Sequence, residues 1–190
     1  MASTGTTTHA GHASAHEHGE HHELSFWRKY VFSTDHKVIA QQFLWAGLIF
    51  LLVGGVLAML IRWQWAFPYR PVPVLGRLFE GGAIGPASYQ QIFTTHGLVM
   101  IFFAVTPVLI GTFGNLLIPL MIGARDMAFP KLNMVSYQSF FLGGVTMLAS
   151  FFVPGGAAQS GWTSYPPLAI VAPGQTWWLI GMIFLITSSL

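Results

Sequence analysis

A single imidazole lies inside the long uncharged stretches of this sequence: His96, in the run Thr94-Thr95-His96-Gly97. With no cysteine in the 190 residues, a metal could be held only through nitrogen or oxygen ligands. A neutral imidazole on an apolar helix suits iron or copper, and Gly97 beside it lets a flat group approach closely. The competing reading is a histidine hydrogen-bonded to a neighbouring helix, and position alone does not separate the two. Arg62 closes another uncharged run, where its guanidinium either snorkels to an interface or pairs with a buried anionic or carbonyl group. Asp126 is an isolated carboxylate in the tight loop 123–130, while Asn115, Asn133 and the pair Ser188-Ser189 place neutral polar groups on three different apolar segments. Facing inward, such groups can order a file of water, and a carboxylate at its head would make a proton-uptake path. Alternatively, Asp126 pairs with Arg125 or caps a helix, and the amides and hydroxyls are interhelical packing contacts.

Composition says what must carry these residues. The chain is 53% hydrophobic and 7% charged, against about 25% charged in an average soluble domain. Stretches 38–61, 81–124 and 132–190 hold no Asp, Glu, Lys or Arg. A soluble enzyme or a nucleic-acid binder is excluded, because nothing covers the apolar surface and the cations form no patch. The predicted fold class is all-α, a polytopic transmembrane helix bundle. Judged against the ~20 residues that cross a bilayer, its helices are expected at about 39–61, 89–122, 133–153 and 176–190. Pro107 and Pro119 predict a long, tilted or kinked second helix. The fourth segment meets the end of the sequence after few turns, so the chain reads as one piece of something larger, inactive alone. Residues 1–25 read as a disordered, histidine-rich tail (His9, His12, His16, His18, His21, His22), with weak metal binding as the less favoured alternative. Trp27, Arg28, Lys29 and Tyr30 read as an interfacial anchor. Arg28, Lys29, Lys37, Arg125 and Lys131 on one side outnumber Arg62, Arg70 and Arg77 on the other, which favours a cytoplasmic N-terminus.

From about Phe32 onward the chain resembles the N-terminal third of subunit I of haem–copper cytochrome c oxidases. The resemblance rests on Ser33-Thr34-Asp35-His36-Lys37, Thr94-Thr95-His96-Gly97, Gly114-Asn115, the block from Pro119 to Pro130, and Gly161-Trp162-Thr163-Ser164-Tyr165-Pro166-Pro167, in the family's order and spacing. It implies that His96 is an axial ligand of the low-spin haem, most simply haem A. It also implies that Arg62 hydrogen-bonds a haem substituent, that Trp162 lies by the haem propionates, and that Tyr89 lies near the haem edge. Asp126 would open the D proton channel, with Asn115, Asn133, Ser188 and Ser189 further along it. The high-spin haem and copper would be bound by later helices absent from this chain.

The function implied is part of a respiratory terminal oxidase that reduces oxygen to water with electrons from cytochrome c and pumps protons. Its partners would be the remaining subunit I helices, subunits II and III, cytochrome c and membrane lipid, with no nucleic acid, in a bacterial inner membrane. Two alternatives stand beside it. In ubiquinol-oxidising relatives an arginine and an aspartate on the first helix and a histidine eight residues before the haem ligand group as a quinol site. Here Val53, Leu57 and Ser88 occupy those positions, and only Gln91 is retained. The other alternative is a cofactor-free transport or assembly module in which His96 is packing. Gln64 replaces a glutamate that in many relatives helps bind calcium or sodium near the outer surface.

Overall fold

The structure, a computed structural model, describes residues 25–189. Apart from Ser25, the histidine-rich tail lies outside the described residues. Three helices are long and apolar enough to cross a membrane: α1 (His36–Ala66), α2 (Pro86–Met121) and α3 (Pro130–Phe152). A shorter apolar helix, α4 (Gln175–Ser188), follows. Among the described residues there is no strand beyond one isolated bridge between Pro71 and Ala83.

α1 extends past its uncharged run at both ends. It starts at His36 because Asp35 caps it, the carboxylate accepting the Lys37 backbone N–H at 2.8 Å. It continues through Arg62 to Ala66. A second histidine, His36, therefore belongs to a membrane-competent helix, where hydropathy alone puts only His96. α2 begins on Pro86, whose missing N–H is harmless in a first turn. It answers Pro107 by widening rather than breaking. Residues Val99–Val105 and Pro107–Gly114 are π-helical, and the Thr106 hydroxyl donates to the Ile101 carbonyl, five residues back, at 2.8 Å. A ring without an N–H would collide with the carbonyl four residues earlier in a tight helix, and the wider turn relieves both problems.

Packing makes the four helices alternate in direction. α1 and α2 run antiparallel, with Gly54 against Met100 and Phe43 against Gly111. α1 and α3 run parallel, with Phe43 beside Tyr137 and Phe50 beside Phe140. α3 and α4 run antiparallel and very close: a Cβ on Gly143 would sit 2.9 Å from the Gly181 carbonyl oxygen. In the middle, Phe43, Phe50, Phe103 and Phe140 form a ring cluster with centroids 5.3–5.9 Å apart. Edge and offset contacts of this kind add to simple burial. A second apolar cluster, built around Leu57, Ile61, Ile84 and Ile92, fills the end where α1 stops and α2 starts.

Candidate functional sites at the two ends of the bundle

The site residues separate to opposite ends. At the α1 C-terminal end, His96 is half-buried and its Nδ1 lies 2.9 Å from the Gly54 carbonyl oxygen. That carbonyl only accepts, so Nδ1 carries the proton and Nε2 keeps its lone pair, with no hydrogen bond to it among the described residues. Close helix approach makes the bond possible, since a Cβ on Gly54 would lie 2.5 Å from the Met100 sulfur. Nothing stands within 4 Å of where a Cβ would project from Gly97.

Tyr89 lies seven residues before His96 on the same face of α2. Its hydroxyl accepts from Trp65 Nε1 at 2.9 Å, and its ring stacks on Phe93 with centroids 6.5 Å apart. Arg62 is exposed and enters no ion pair among the described residues. Trp162 is 62% exposed, its ring 6.2 Å from that of Phe102. The preceding Gly161 N–H is bonded to Thr94, and Thr94 points about 200° around the helix from His96. The structure thus sets Tyr89 and His96 on one face of α2 and ties the Trp162 turn to Thr94, two residues before His96.

At the other end, the Asp126 carboxylate lies 3.0 Å from His36 Nδ1 and accepts the Met127 backbone N–H at 2.7 Å. Burial pushes its pKa up, but the Met127 N–H and the His36 imidazole outweigh that and hold it below the ordinary carboxylate range. His36 is the partner that sequence reasoning missed. It is 3% exposed, and its Nε2 is buried without a partner among the described residues. The available signal was a histidine directly after a helix cap, close to an apolar run.

Beside this pair opens a cavity of about 730 Å³ between α2, α3 and α4. Met127 and Ala128 line its rim, and Asn115, Asn133, Ser136, Ser188 and Ser189 line its wall. Asn115, Asn133, Ser188 and Ser189, the four polar residues singled out from three segments of the sequence, thus share one space. The Asn115 amide nitrogen donates to the Gly111 carbonyl, leaving Oδ1 buried and unpartnered; Asn133 Nδ2 is likewise unpartnered. The Ser188 and Ser189 hydroxyls donate back to Leu185 and Ile186 carbonyls, so toward the cavity they offer lone pairs. Ser136, which also donates to the Ser188 carbonyl, was not singled out from sequence because one serine on a helix has no distinguishing context.

Residues 38–190 match the family described as cytochrome c and quinol oxidase polypeptide I. The chain belongs to that family. It is 43% identical over 165 residues to an alternative cytochrome c oxidase subunit 1 of Bradyrhizobium diazoefficiens, covering 86% of this chain and 26% of that one. It is 41% identical over 174 residues to a cytochrome c oxidase subunit 1 of Thermostichus vulcanus, covering 90% and 29%. A quinol oxidase subunit 1 of Bacillus subtilis is 38% identical over 160 residues, covering 82% and 23%. The chain therefore spans between about a quarter and a third of the length of these relatives.

Proteins of the oxidase polypeptide I family bind haem and copper, act with further oxidase subunits, and are integral to the membrane. One imidazole with its Nδ1 anchored to a backbone carbonyl would suit a haem-iron ligand, because that second bond fixes the ring and its tautomer. A copper site needs several converging ligands. Among the described residues, no group of three or more His, Asp or Glu side chains gathers in a way that could hold a metal.

Proposed function

We propose that this chain is the N-terminal part of the catalytic subunit of a terminal oxidase that takes electrons from cytochrome c, reduces oxygen to water and moves protons across a bacterial inner membrane. The observation that carries the reading is the His96 Nδ1 to Gly54 carbonyl bond, which prepares Nε2 as a ligand. When bound, the low-spin haem, haem A on this reading, supplies the electron transfer. The chain supplies the rest: His96 would ligate the iron, Tyr89 and Arg62 would lie beside the cofactor, and Trp162 would lie by its propionates. The high-spin haem and copper belong to later helices of the same subunit, and subunits II and III are the further partners. The polar tail of residues 1–25 would lie with the α1 N-terminus on the cytoplasmic side, followed by a bundle from residue 26 onward.

At that cytoplasmic end Asp126 takes up the proton. Its depressed pKa keeps it ionised at neutral pH and makes it a weak base, so it acts as a negatively charged mouth that attracts protons and passes them on rather than storing them. The cavity beyond it has room for a chain of waters, and the unpartnered Asn115 oxygen and Asn133 nitrogen are the groups such waters would satisfy. In the assembled oxidase, Asp126→Asn should slow turnover at least tenfold and abolish pumping with haem content unchanged. Normal pumping in that variant would remove the channel assignment.

The second reading, a quinol oxidase, is favoured by the Bacillus relative. Three features weigh for cytochrome c instead. Leu57 is buried within the apolar cluster and Val53 packs against it, which leaves no polar pair on α1 at those positions. Ser88 offers no imidazole. The Gln91 amide is already spent inside the fold, donating to the Gly155 carbonyl at 3.1 Å. Turnover of the purified enzyme on reduced cytochrome c against a ubiquinol analogue decides the donor, and pigment extraction decides the haem type. Faster turnover on quinol would overturn the cytochrome c assignment.

A further inference from the structure

The loop between α3 and α4 carries Trp162 at an exposed turn, yet that turn is tied down from two helices. Gly161 sits at φ +70°, a left-handed conformation that suits glycine. Its backbone N–H donates to Thr94 Oγ1 at 3.0 Å, and Thr94 is 3% exposed on α2, two residues before His96. From the opposite side comes Gln175 at the start of α4, 7% exposed. Its Oε1 accepts from the Ser160 hydroxyl at 2.9 Å, and its Nε2 donates to Ser164 Oγ. One amide therefore grips the segment on both sides of Trp162 and spends both its donor and its acceptor there.

We infer that Thr94 and Gln175 are positioning residues that together fix the Trp162 turn beside the cofactor pocket. The inference rests on the oxidase reading for the presence of a haem, but the clamp itself is a property of these side chains. The physical argument is one of satisfaction. A half-buried loop has few regular backbone partners, so without Thr94 the Gly161 N–H loses its acceptor, and without Gln175 the Ser160 hydroxyl loses its acceptor and Ser164 Oγ a donor. An indole on a loose turn samples many orientations; on this turn it is held against Phe102, with ring centroids 6.2 Å apart. A charged cofactor edge responds to the dipoles around it, so the orientation of such an indole is felt in the cofactor's potential.

The test uses the full-length subunit in its assembled oxidase, with Thr94→Val, Thr94→Ser and Gln175→Leu. Valine keeps the shape of threonine and removes the acceptor, whereas serine keeps the acceptor. Two readouts are taken: hydrogen exchange of the peptide containing Gly161, and the midpoint potentials of the bound haems. Thr94→Val should raise exchange at Gly161 about tenfold and shift a haem potential while the low-spin band is retained. Gln175→Leu should shift the same potential in the same direction, and Thr94→Ser should restore wild-type values of both readouts. Unchanged exchange in both Thr94→Val and Gln175→Leu would overturn the clamp. Faster exchange with every potential unmoved would overturn its role in positioning. If one variant fails to assemble, the other carries both readouts. Should the wild-type protein hold no haem, the oxidase reading fails on its own, and Gly161 exchange still decides the clamp.

Discussion

His96 and Asp126 differ in what their surroundings do to them. His96 gives one nitrogen to the fold and keeps the other, so the residue that supports it is a glycine 42 positions away. Replacing Gly54 by valine should push α1 from α2, since the first added carbon already meets Met100 at 2.5 Å. Met100 is flexible and yields part of the space, so the expected loss is about 1–3 kcal/mol of stability. The haem-to-protein ratio of the assembled enzyme should fall with it. Asp126 is 42% exposed, and its pKa is depressed by the Met127 N–H and His36 against the opposing effect of burial. A depressed carboxylate stabilises the fold at pH above its unfolded value, and that contribution disappears as pH falls through the folded value. Wild type should therefore be more heat-stable than Asp126→Asn at neutral pH, with the gap closing below about pH 4. A gap that does not narrow at all on acidification would show that the carboxylate charge is not what matters there.

At the scale of helices, close approach decides which glycines matter. A Cβ added to Gly143 on α3 would lie 2.9 Å from the Gly181 carbonyl oxygen, and backbone cannot move aside as a side chain can. Gly143→Leu should separate α3 from α4 and lower the thermal midpoint of the solubilised protein by several degrees. Gly55, one residue from the His96 support, has nothing within 4 Å of its added carbon. Gly55→Ala should be neutral or slightly stabilising, because alanine is the better helix former. Equal effects from the two substitutions would contradict the packing described. The widened turns of α2 belong to this scale as well. They separate the His96 face from the cavity-lining residues Thr106 and Asn115, so their register sets which side chains reach the cavity.

Across the whole molecule, the all-helical membrane fold was legible in the sequence because uncharged runs near the length of a bilayer core admit few alternatives. Lone polar residues in such runs are conspicuous, which is why His96, Asn115 and Asn133 stood out, and Asp126 did so as the isolated carboxylate of the loop between two of them. Their partners did not. His36 meets Asp126 across 90 residues, and Gly161 meets Thr94 across 67, and no local pattern marks either pair. The π-helical response to Pro107 was equally hidden, because a proline announces a disturbance without saying whether the helix kinks or widens. Trp162 shows a further limit. Motif resemblance groups it with His96 by the haem, and no local pattern announces the Thr94 and Gln175 bonds that hold its turn.

The central claim is that His96 Nε2 ligates a haem, and the most direct test is a reduced-minus-oxidised spectrum of the full-length subunit with His96→Ala. Loss of the low-spin haem band in the variant, with the band present in wild type, is the predicted result. An unchanged low-spin band in His96→Ala would contradict the claim.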